Sequence, residues 1–268
     1  MPGTDFSLIA APFRMQPGLR KVAPGTPQLT ALARGAPLWQ EKREVVESGA
    51  SRLAVPGFDA APAMAAIAAH ARHHGLPQPD DESPLELTYE EDFAVLDGST
   101  GTLPWLCVCV PSHWAPEDKL GLPFAAVHAP VADADTLRAA SQHLVRIATG
   151  GDAWERFVWT LTPSARYDQH PRRHPREPWP ATADLNAFAR GTWLRTERQT
   201  FIPVPSANQA VFTIRVMLEP LGQAVDSREK ARRLGESLAS MSDAVLAYKG
   251  LAAAREALVR WLAQWPSQ

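Results

Sequence analysis

Two runs in the C-terminal half, "TWLRTERQTFIPVP" (192–205) and "AVFTIRVMLEPL" (210–221), are separated by little more than "SANQ". Both are rich in β-branched and aromatic residues, and so short a polar connection predicts a pair of neighbouring strands. A chain that carries this hairpin must build its core on an antiparallel sheet. Further candidates for that sheet precede it. "LELTYEEDFAVLDGSTGTLPWLCVCV" gives three short apolar or alternating runs with a turn at "DGSTG", and "WERFVWTLTP" reads as another strand. The uniformly apolar, proline-bounded "WLCVCV" reads as a central strand.

Helical sequence flanks these strands. "PLWQEKREVVESG" predicts a short helix stopped at Gly49, and "PAMAAIAAHARHHG" a second stopped at Gly75. "TLRAASQHLVRIATG" predicts an amphipathic helix. The last forty residues predict helices separated at Gly250. The Pro- and Gly-rich first fifty residues predict an extended, wrapping arm with little regular structure besides that first helix, and "YDQHPRRHPREPWPA" an irregular loop. Strands in the middle with helices at both ends predict one α+β domain over residues 1–268.

Composition excludes several classes of function. A formal net charge of -2 argues against general nucleic-acid binding. Arg172, Arg173 and Arg176 cluster, but prolines interrupt them and the stretch reads as a solvated loop. No window approaches the apolar length of a membrane helix, and no basic start followed by an apolar run suggests a signal peptide. Cys107 and Cys109 lie two apart on one predicted strand, a spacing that rarely closes a disulfide, so they read as free buried thiols in the cytoplasm. His70, His73 and His74 have metal-compatible helical spacing. Histidines at a helix C-terminus also suit its dipole, and no carboxylate nearby completes a site.

The polar chemistry gathers in two places. In "PSHWAPEDKLGLPFAAVHAPV" (111–131), His128 is embedded among apolar residues, which favours the neutral imidazole that a metal requires. The same facts suit a core histidine bonded to a carbonyl. In "LRTERQTF" (194–201), alternation puts Arg195, Glu197 and Gln199 on one strand face and Thr196, Arg198 and Thr200 on the other. That is either a ladder of cross-strand ion pairs or a polar cavity whose guanidinium groups receive carboxylates. Arg215, a further charge amid apolar residues in "FTIRVML", favours the cavity.

"EDFAVL", "VPSHWAPEDKLGLPFAAVHAPV", the Arg156 and Trp159 of "WERFVW", "LRTERQTF" and "FTIRVMLEPL", in this order and after an N-terminal "FRMQPGL", resemble the haem-dependent oxidative N-demethylase family. The resemblance implies a PAS-like antiparallel sheet with flanking N- and C-terminal helices holding a haem b. It implies O2-dependent removal of a methyl group from a small secondary amine, with loss of formaldehyde. Electrons would come from NAD(P)H through a separate flavin/iron–sulfur reductase. On the family's motif His128 becomes the axial ligand, and Lys119, Arg195, Arg198 and Arg215, with Trp114, become cofactor-binding candidates. Glu197 becomes the partner of a substrate ammonium or simply of one of those arginines, and His113 an extra ligand or distal acid. A PAS-like haem or small-ligand sensor without turnover is the alternative. The chain departs from the family pattern at His113, where glycine is usual, at Val158, where an amide is usual, and at Phe201-Ile202-Pro203, where basic residues follow. Val158 predicts a more apolar amine than dimethylamine.

Overall fold

The computed structural model describes residues 5–14, 18–127 and 140–265. Its centre is a seven-stranded sheet in the order β1-β5-β6-β7-β3-β4-β2, with every pair antiparallel. The strands are β1 (Arg20–Lys21), β2 (Arg52–Ala54), β3 (Glu91–Asp97), β4 (Trp105–Cys107), β5 (Trp154–Thr162), β6 (Trp193–Val204) and β7 (Gln209–Pro220). The helices are α1 (Pro37–Glu47), α2 (Ala61–His73), α3 (Leu85–Thr88), α4 (Phe124–Val127) and α5 (Ser141–Thr149). They continue with α6 (Leu185–Arg190), α7 (Leu221–Ala224), α8 (Arg228–Ala239), α9 (Asp243–Lys249) and α10 (Arg255–Ala263).

The expected hairpin is the spine of the sheet. β6 and β7 pair over twelve residues each, from Trp193↔Pro220 to Val204↔Gln209. A 3₁₀ turn, Pro205–Ala207, joins them, and Asn208 supplies the left-handed residue at φ 51. Pro203 cannot donate to a ladder. It falls beyond the last β5 partner of β6, Phe201↔Trp154, where β6 has lost one neighbour.

Two expectations are corrected. The first of the three apolar runs, "LELT", is the helical turn α3, its residues all buried, and only β3 and β4 form strands there. "WLCVCV" is not central: β4 is three residues long and lies second from the sheet edge, although Val108, Cys109 and Val110 continue fully buried. Arg52–Ala54, which carried no strand signal, covers that edge as β2.

Alternation divides the side chains of the sheet between two cores. On one face Phe93, Val95, Cys107 and Val211 pack against Ala63, Ile67 and Ala71 of α2. Farther along the same face, Trp159, Leu161 and Leu194 meet the apolar sides of α8, α9 and α10. The opposite face packs Ala94, Leu106, Phe201 and Phe212 against Val145 and Ala148 of α5, and Val110, Ile214 and Val216 against Leu38 and Val45 of α1. Lys42 of α1 is wholly buried there. It pairs with Asp92 at 3.0 Å and donates to the Glu91 and Tyr89 carbonyls, so the desolvated ammonium is fully partnered.

Candidate functional site

The polar residues of "LRTERQTF" divide between the faces as the strand period requires. Arg198 and Arg215 are cross-strand partners on the α2 face. Arg198 donates to Glu155 at 2.9 Å and to the Pro27 carbonyl, and Arg215 donates to Glu90 at 2.6 Å. Gln28 and His70 share that surface: Gln28 donates to Thr200 and the Phe201 carbonyl, and its own backbone N–H donates to His70 Nε2 at 3.0 Å. Burial and then its histidine neighbours hold His70 down to about 4, so it is the neutral acceptor this bond needs. His70 is therefore a structural acceptor. Among the described residues, no group of three or more His, Cys, Asp and Glu side chains is arranged to hold a metal ion.

Arg195, Glu197 and Gln199 occupy the other face, opposite Thr160, Val158 and Arg156 of β5. Arg195 is 1% exposed and spends its donors on holding loops. Nε donates to Ser112 Oγ at 2.8 Å, Nη2 to the Val110 carbonyl at 3.1 Å and Nη1 to the Arg166 carbonyl at 3.2 Å. The Ser112 hydroxyl in turn donates to Glu197 Oε1, and Gln199 donates to Oε2 at 2.6 Å. Glu197 is thus fixed by two neutral donors and has no ion pair with a described cation. A half-buried carboxylate so placed suits an incoming ammonium.

The loop that leaves β4 brings His113 to this face. Its φ of 58 is the left-handed region, unusual for a residue with a Cβ, which accords with glycine being the usual residue in the resemblance. Burial, then Arg176 and Arg195, lowers its proton affinity to about 4, which leaves a neutral imidazole. Trp114 packs between the two apolar clusters of this face. Lys119 donates to the Val127 carbonyl at 3.1 Å, at the end of α4. His128, the expected axial ligand, follows immediately and lies outside the described residues.

Four contributors were not named as site residues from sequence. Ser112 links Arg195 to Glu197. Arg156 lies diagonally across from Glu197, its Nε buried without a hydrogen-bond partner and its guanidinium without an ion pair among the described residues. Tyr248 and Lys249 reach over the open edge of β5 from the end of α9. The Tyr248 phenol is pushed up by burial and then by Glu197, although 45% of the residue is exposed. Lys249 Nζ donates to the Trp159 carbonyl at 2.6 Å and lies 5.5 and 5.6 Å from the Phe13 and Trp159 ring centres. Burial pushes it down to about 8, with Glu197 opposing and Arg156 assisting. Only Arg156, a charge within "WERFVW", left a sequence signal. The others depend on the packing of α9 and the β4 loop.

The arginine-rich loop is also more than a solvated segment. Arg173 binds Asp168 and the Cys109 carbonyl, while Arg172 pairs with Asp118 at the surface. Arg176 lies so close to Gly250 that a Cβ there would meet its Nη1 at 2.1 Å, and Gly250, at φ 70, also ends α9 in the left-handed conformation. A separate cleft, bordered by Asn186, Arg190, Gln223 and Trp261, contains none of these groups.

A model of the family described as "Haem-dependent oxidative N-demethylase, alpha subunit-like" matches residues 67–259. The chain belongs to this family. The match includes the β4 loop, β5, β6, β7 and most of the C-terminal helices, and so Ser112, His113, Arg156, Arg195, Glu197, Gln199, Tyr248 and Lys249.

Proposed function

We propose that this member of the N-demethylase alpha-subunit-like family binds haem b on the Glu197 face of its sheet and oxidises a small N-methylated amine, releasing formaldehyde. The single observation that carries the reading is Glu197. It is a carboxylate held by Ser112 and Gln199, in no ion pair with a described cation, on the face that receives the neutral His113 and Trp114. The donor set suits haem: neutral imidazole for iron, with indole and aliphatic side chains for the porphyrin plane. His128 would hold the iron and Lys119 would brace the segment leading to it. When bound, the haem supplies the oxidation.

The chain's own part is to receive the ammonium at Glu197, keep that carboxylate oriented through Ser112 and Arg195, and limit water with Trp114. Arg195 acts here as a positioning residue. Arg198 and Arg215, on the other face, would influence a haem only through the sheet. The core order β4-β3-β7-β6-β5 supports the PAS-like reading. The single domain, the cytoplasmic setting and a separate flavin/iron–sulfur reductase fed by NAD(P)H belong to the same proposal. An alpha-subunit-like family suggests a partner subunit. No helix among the described residues is long and apolar enough to cross a membrane.

The test is an absorption spectrum of protein produced with haem supplementation, followed by turnover with a reductase and a series of N-methylamines. A Soret band that His128→Ala abolishes and His113→Ala retains, together with formaldehyde release, is the expected result. The opposite pattern would exchange the two histidines. Bound, reducible haem without formaldehyde from any amine would favour the sensor reading.

A further inference from the structure

The geometry points to Arg156 as a carboxylate-binding residue that makes the ligand of this site an N-methyl amino acid rather than a plain amine. The inference rests on the amine reading of Glu197 above and deepens it. Arg156 pairs with Gln199 across the β5–β6 ladder, and Glu197 is the next residue of β6 on the same face. Diagonal neighbours of this kind lie roughly 7–8 Å apart at the backbone, within reach of long side chains. A site with a fixed carboxylate and a free guanidinium at that spacing complements a zwitterion, ammonium toward Glu197 and carboxylate toward Arg156.

Three observations single out Arg156. Its Nε is buried and makes no hydrogen bond. Arg195, Arg198 and Arg215 all have donors engaged by protein oxygens, whereas Arg156 has no hydrogen bond or ion pair to any described residue. The oxygens of Glu197, its nearest candidate partner, are engaged by Ser112 and Gln199. A desolvated guanidinium without a partner is costly, and a planar carboxylate is the group it binds best. Lys249 adds a second positive charge at the same sheet edge, although its Nζ is held by the Trp159 carbonyl. Val158, directly opposite Glu197, offers apolar surface for the methyl group or the body of the ligand.

The carboxylate could instead come from a haem propionate, and the two sources separate experimentally. Calorimetric titration of the full-length, haem-saturated protein with N-methylglycine and with dimethylamine is the central measurement. N-methylglycine binds more tightly to the wild type, and Arg156→Leu weakens it by at least about tenfold while leaving dimethylamine unchanged. Arg156→Lys restores part of the loss, and Glu197→Gln weakens both ligands. Dimethylamine binding as tightly as N-methylglycine, or unchanged N-methylglycine binding in Arg156→Leu, overturns the inference. So does a loss of haem affinity in Arg156→Leu with N-methylglycine binding intact, which assigns the guanidinium to a propionate. If the chain takes up no haem, the haem reading fails by its missing Soret band, and the same titration of the haem-free protein still decides the role of Arg156. Circular dichroism of each variant excludes unfolding as the cause.

Discussion

Single residues of this protein owe their protonation first to burial. His70 is the clearest case, since its Nε2 must stay unprotonated to accept the Gln28 N–H. Its folded value near 4 lies below the ordinary 6.5, so the unfolded chain binds the proton more readily. The stability contributed by the neutral ring is complete above about pH 6.5 and is lost as pH falls toward 4. Glu91 acts with the opposite sign, because burial raises it to about 7 and acidification below that value favours the folded state. A comparison with His70→Gln isolates the histidine, as an amide oxygen can still accept from Gln28. The variant loses the acid-dependent part, on the order of 1–2 kcal/mol after allowance for solvent at the partly exposed ring. Urea melts at pH 7 and pH 5 measure it, and an identical pH dependence in the two proteins would refute the assignment.

Between elements, Arg195 couples β6 to two loops at once. It binds the Val110 carbonyl and Ser112 after β4, and the Arg166 carbonyl before the arginine-rich loop. Arg195→Leu leaves two carbonyls and a hydroxyl without this donor in a dry interior. We expect a loss of roughly 3 kcal/mol or more, well above the at most about 1 kcal/mol of a surface ladder. Faster amide exchange should follow in the stretch 110–114, and with it weaker ligand binding at Glu197. Arg172→Leu, which removes an ion pair with the exposed Asp118, should cost far less than Arg195→Leu. Equal losses in the two variants would show that Arg195 does not brace the loop.

On the scale of the whole molecule, the C-terminal helices complete the sheet instead of decorating it. Leu234, Leu238, Leu246, Leu251 and Leu258 share one core with Trp159, Leu161 and Leu194, all nearly inaccessible to solvent. Tyr248 and Lys249 reach the site edge from the same helices. A chain ending at Pro220 would expose that apolar area to water and should be unfolded or aggregated, as shown by lost near-ultraviolet dichroism. A folded, haem-binding truncation would mean that the sheet stands alone.

Local order determined much of this protein. The alternation and short turn of residues 192–221 specified β6 and β7, and with them which of Arg195, Glu197 and Arg198 share a face. Gly stops at 49, 75 and 250 placed helix ends, and the family was readable from motifs spread along the strands. Strand periodicity could not tell which face receives the β4 loop. The resemblance, not periodicity, grouped Arg198 and Arg215 with Arg195 as cofactor candidates, and the sheet places them on the opposite face. "LELT" has strand composition but is a buried helical turn, because tertiary burial accepts either backbone for so short an apolar run. Ser112, Tyr248 and Lys249 reach the site only through contacts between residues 85 and 90 positions apart in the chain or from a helix end docked on a sheet edge. Periodicity records the faces of one element, and only packing decides which elements meet.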